Sequence, residues 1–68
     1  MTRVQSLNNQ INSLQSDREQ CVTSLISAVS HGEFENAKWW CASIKSIDSE
    51  ISSARRAIEL EHAMLAGA

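Results

Sequence analysis

Sixty-eight residues with 43% hydrophobic and 21% charged side chains suffice for one small domain and exclude two. With no proline, two glycines and 4% aromatic residues, the chain lacks the turn residues of a multistranded β domain, which leaves helix. A net charge of −2 argues against a general phosphate-binding surface, and no apolar run approaches the ~20 residues that span a bilayer.

From Val4 the apolar positions run Val4, Leu7, Ile11, Leu14, Cys21, Leu25 and Ala28, with Arg18 in the one missing place. Spacing that averages 3.5 residues keeps one seam of a helix facing a partner, so these are the a and d positions of a coiled-coil-like helix over about 3–30. Val22 and Val29 widen the seam on one side, and Ile26 adds apolar surface beyond it.

Ser30-His31-Gly32-Glu33-Phe34-Glu35 interrupts the pattern. Gly32 suits the left-handed position that ends a helix, which places a turn at residues 31–32. Glu33 and Glu35 then fall in the first turn of a second helix, where the macrodipole and the unpaired amides favour negative charge. His31 suits the end of the first helix, where a cation is favoured.

The second helix, expected over about 33–66, repeats the 3,4 register with Ala37, Trp40, Ile44, Ile47, Ile51, Ala54, Ile58 and Leu65, interrupted by Glu61. Folding the chain back at Gly32 pairs residues whose numbers sum to about 62. Leu25 then meets Ala37, Cys21 meets Trp40 and Cys41, Leu14 meets Ile47, Ile11 meets Ile51, Leu7 meets Ala54 and Val4 meets Ile58. The agreement of two independent registers predicts an all-α fold: a single antiparallel αα-hairpin spanning residues 1–68.

A hairpin has one shared face, and Val22, Ile26, Val29, Cys41, Ala57, Leu60 and Met64 are left over as a second apolar stripe. At this size ordering costs of roughly 1.5 kcal/mol per residue nearly cancel burial at about 25 cal/mol per Å², so a partner is expected. The simplest is a second copy, forming an antiparallel homodimer that closes a four-helix bundle.

The stretch Gly32-Glu33-Phe34-Glu35-Asn36-Ala37, followed by Trp39-Trp40, resembles the inter-helix turn of tetratricopeptide repeats. That resemblance implies a glycine closing the first helix, an aromatic over the corner and a small residue where the second helix approaches. It covers about ten residues, and the helices here are about twice as long as in that repeat. In overall plan, a short, proline-free, mildly acidic hairpin resembles the small early or accessory proteins of lambda-like phages and the dimeric RNA-binding hairpins of plasmid copy control. Both resemblances imply a protein that acts by binding a host or replicon factor.

Cys21 and Cys41 form no CxxC pair and are too few for a disulfide framework, and Met1-Thr2-Arg3-Val4-Gln5 opens no signal-peptide hydrophobic region. Reduced thiols and a cytoplasmic location are expected. The two cysteines lie opposite each other, but packed helices sit 8–10 Å apart while a disulfide needs Cα atoms within about 7 Å, so they read as small packed thiols. His31 and His62 are about 45 Å apart at 1.5 Å per helical residue, too far to share a metal. No nucleophile, base and orienting carboxylate converge on a cleft, so no catalytic, metal or cofactor residue is assigned and an enzyme ranks last.

Arg18 stands at a seam position, where a polar residue sets register and partner choice at a cost in stability. Asp17, Glu19 and, across the hairpin, Asp48 are its candidate partners. Trp40 is expected to point into the seam and Trp39 away from it, either onto a second subunit or outward as an anchor for another protein, with Leu60 three heptads further along the same side. Lys38, Lys45, Arg55 and Arg56 are the candidate nucleic-acid contacts, diluted by Asp48 and Glu50 and more readily read as a solvated surface. The expected function is that of a non-enzymatic regulatory module that binds itself and another protein. The competing reading is a dimeric RNA- or DNA-binding regulator, and a membrane-surface role lacks the basic polar face such helices use.

Overall fold

Thr2 starts the first helix with a reciprocal pair of hydrogen bonds. The computed structural model describes residues 2–67 and holds two helices, α1 (Arg3–Ser30) and α2 (Phe34–Gly67), joined by a three-residue turn. Thr2 Oγ1 accepts from the Gln5 amide at 3.1 Å, and Gln5 Oε1 accepts from the Thr2 amide at 2.9 Å. This capping box occupies two of the donors a helix start leaves unpaired.

The turn uses the conformational freedom of Gly32, whose φ is +72°. With His31 as the C-cap, the Glu33 amide donates to the Ala28 carbonyl at 2.8 Å and the Gly32 amide to the Val29 carbonyl at 3.1 Å, the paired bonds of a Schellman ending. His31 adds its ring: Nδ1 lies 2.7 Å from the Ser27 carbonyl, which can only accept, so the nitrogen donates. Glu33 sits one residue outside α2, where its carbonyl takes the Ala37 amide at 2.9 Å, and Glu35 alone provides the acid of the first turn. Substituting Gly32 by Ala meets no neighbouring atom within 4 Å, so its cost is that of the left-handed backbone. Gly32→Ala is expected to lower stability by about 1–2 kcal/mol with the helical content preserved, read from thermal or urea unfolding.

The layers follow the pairing rule. Ile11, Ile51 and Ala54 form the buried centre, with Leu7, Leu14, Ile47 and Ile58 packed against it. Ala28 and Ala37 are buried beside the turn, where two small side chains let the helices approach. Every predicted seam residue from Val4 to Glu61 is buried or half-buried.

Two seam positions depart from expectation. Leu65 is 71% exposed, because it lies beyond the level at which α1 starts at Arg3. Trp40 is half-buried, and the open groove beside it is lined on α1 by Thr23, Ser24, Ser27 and Ala28, small groups that leave its ring partly uncovered. The hairpin measures 55 × 17 × 10 Å over its Cα atoms, a single layer two helices wide. Its core is therefore shielded along one line only.

Candidate functional site

The apolar side chains left outside that line are large. Ile26, Val29, Phe34, Trp39, Leu60, Met64 and Leu65 are all more than half exposed, Cys41 is exposed, and Val22 and Ala57 are half-buried. A helix turns about 100° per residue, and this places the expected stripe on two different flanks. Val22, Ile26 and Val29 of α1 lie on one flank with Phe34 and Cys41 of α2, all within the turn-proximal half. Ala57, Leu60 and Met64 lie on the opposite flank of α2, about 30 Å further along the axis at 1.5 Å per residue. The stripe expected as one surface is thus two patches, because residues flanking a seam on its two sides diverge by about 180° around the helix. Phe34 belongs to the first patch although the corner-covering role had been expected of it, and its 66% exposure leaves the corner open.

Trp39 falls on the second flank but near the turn. It leans on its neighbour nonetheless: the Trp39 and Trp40 rings meet edge to face, with centroids 4.6 Å apart and planes at 82°. The expectation that the two rings would part company holds for burial and fails for contact. On this flank an open groove between the helices is lined by Leu7, Gln10, Glu50, Ser53 and Ala57.

Arg18 reaches across the seam to Asp48, Nε to Oδ1 at 2.7 Å, the partner expected of it on the facing helix. Both side chains are about half exposed, at 43% and 50%, so water screens the pair. An exposed ion pair contributes about 0.2–1 kcal/mol, whereas a leucine closing the seam between Leu14 and Cys21 adds about 1 kcal/mol or more of burial. Arg18→Leu is expected to raise the melting temperature of the hairpin, and a fall would show that the lost ion pair outweighs the packing gained.

A second cross-helix pair was missed in the sequence. Arg3 Nε lies 3.0 Å from Glu61 Oε1, so the residue that interrupts the register of α2 has a partner at the open end. Residue numbers summing to 64 were the available signal. Each interruption of the hydrophobic seam, Arg18 and Glu61, is matched by an opposite charge on the facing helix.

Cys21 is half-buried and Cys41 exposed, and both are free thiols. Among the described residues no group of three or more His, Cys, Asp or Glu could hold a metal ion. Among the described residues no helix is long and apolar enough to cross a membrane. Lys38, Lys45 and Arg56 fall within about 20° of one line on the outer face of α2 at 100° per residue, while Arg55 stands about a quarter-turn away. Lys38 pairs with Glu35 at 3.5 Å, both highly exposed. No protein-family model, no curated protein and no solved structure matches the chain.

Proposed function

We propose that this hairpin is a regulatory binding module that dimerises and engages another protein through a helical flank, without chemistry of its own. The observation that carries the reading is the set of seven large apolar side chains standing more than half exposed on a single-layer hairpin. Large apolar side chains left exposed in this number mark association in small domains that cannot close a core alone. The likeness in plan to small phage accessory proteins supports a host or replicon factor as the protein engaged.

Sedimentation equilibrium in reducing buffer, over a concentration series, tests the first half of the reading. A mass of twice 7.5 kDa is expected. A folded monomer at every concentration would overturn the dimer and leave both patches as sites for other proteins.

The alignment of Lys38, Lys45 and Arg56 favours one competing reading, a dimeric nucleic-acid binder. Such binding falls linearly on a log–log plot against salt, with a slope near the number of phosphates contacted. RNA or DNA binding that disappears in Lys45→Ala with Arg56→Ala would establish it, and salt-independent or absent binding would remove it.

A further inference from the structure

We infer that the turn-proximal flank, formed by Val22, Ile26, Val29, Phe34 and Cys41, is covered by a second copy of this chain lying side by side with its turn at the same end. The inference rests on the proposed dimer and adds its face and orientation, replacing the antiparallel arrangement expected from sequence.

On this flank both helices carry apolar residues outside the seam at the same level, Val22 with Cys41 and Val29 with Phe34. On the opposite flank α1 offers only Leu7, in the groove beside Ala57, and is otherwise polar, with Ser6, Gln10, Ser13, Asp17 and Ser24, so Trp39 and Leu60 of a second copy would meet hydroxyls and a carboxylate. Orientation follows from the distribution along the axis. Toward the open end the apolar flank continues as Gln5, Asn8, Asn12, Arg55 and Glu59. A second hairpin reversed end for end would set Ile26 and Val29 against Gln5, Asn8 and Asn12. A two-fold axis parallel to the helices sets the apolar half against itself, and α1 of each copy then lies on α2 of the other.

Charge supports the same geometry. Glu19 borders the patch on α1 and Lys45 borders it on α2, and among the described residues neither has an ion-pair partner within the chain. Within one hairpin both point outward from the seam, away from each other. In the side-by-side dimer they face each other twice, Glu19 of each copy on Lys45 of its mate. Ile26 comes level with the aliphatic stem of Lys38 in the other copy, whose ammonium group stays in water.

Two labels decide the orientation. In a Cys21→Ala, Cys41→Ala background, spin labels are placed singly at Glu33→Cys, by the turn, and at Ala63→Cys, near the open end, and distances between subunits are measured by pulsed electron resonance. Turns at the same end give short distances at both sites, roughly 30 Å or less for neighbouring helices packed 8–10 Å apart. A reversed, fully overlapping dimer would give about the hairpin length of 55 Å at both, and would overturn the orientation while leaving the dimer intact. A tip-to-tip dimer would give a short distance at the turn alone, and equally overturn it. A monomer would fail the proposed dimer itself, which sedimentation identifies separately. Charge reversal checks the face: Glu19→Lys is expected to weaken the native dimer about threefold or more, and Glu19→Lys with Lys45→Glu to restore it. An unchanged dissociation constant in Glu19→Lys would remove this flank from the interface.

Discussion

Replacing Ile51 by Asp is expected to unfold the hairpin, with loss of the helical circular dichroism signal at micromolar concentration. Ile51 is 6% exposed and lies in the middle of the buried cluster, against Ile11 and beside Ala54. The substitution removes the largest buried side chain of α2 and leaves a carboxylate in its place. Arg18 is engaged with Asp48 and Arg3 with Glu61, and Arg55, one turn along α2, is exposed to water. An uncompensated buried charge destabilises by about 3–5 kcal/mol, comparable to the whole stability of a domain this small. Ile51→Val, which deletes one methylene, is the matched control and is expected to cost about 0.5–1.5 kcal/mol. A folded Ile51→Asp chain would mean that the seam lies elsewhere on α2.

The seam was readable because its two halves constrain each other. Ile11 with Ile51 and Leu7 with Ala54 follow from a 3,4 spacing and one glycine, and a slip of one residue would have exposed both sets together. Arg18 with Asp48 was legible for the same reason: a gap in one register had a carboxylate opposite it. The Thr2–Gln5 capping box is also legible in the sequence as Thr-x-x-Gln, the pattern that marks a helix start.

What lay beyond the seam was harder to read. Ile26 and Leu60 look alike in the sequence, each an extra apolar residue outside the a and d positions. Only the sense of rotation from the seam separates them onto opposite flanks. Trp40 was assigned to the core by its position, yet the burial of a ring depends on the volume facing it, and Ser24 and Ser27 supply little. Leu65 obeys the register perfectly and is exposed because burial also requires that the other helix extend to its level.

Replacing Ile26 by Asp is the second large effect, and it separates folding from association. In the isolated hairpin Ile26 is 61% exposed, so a carboxylate there remains hydrated and costs the monomer within about 0.5 kcal/mol. In the side-by-side dimer the same position is covered twice, once per copy, by the aliphatic stem of Lys38. A carboxylate there loses that apolar contact in both places and stands by Lys38 as Glu19 does by Lys45, so the loss is about 1 kcal/mol per copy, a dissociation constant raised about tenfold or more. Sedimentation is therefore expected to give a mass that falls toward 7.5 kDa for Ile26→Asp at concentrations where the parent chain gives twice that. The melting temperature should fall with it at those concentrations, because mass action stabilises only the associating chain. Leu60→Asp, at 58% exposure on the other flank, provides the comparison and should leave the mass unchanged. If Leu60→Asp dissociates the dimer and Ile26→Asp does not, the two flanks exchange roles, and the turn-proximal patch becomes the surface that meets another protein.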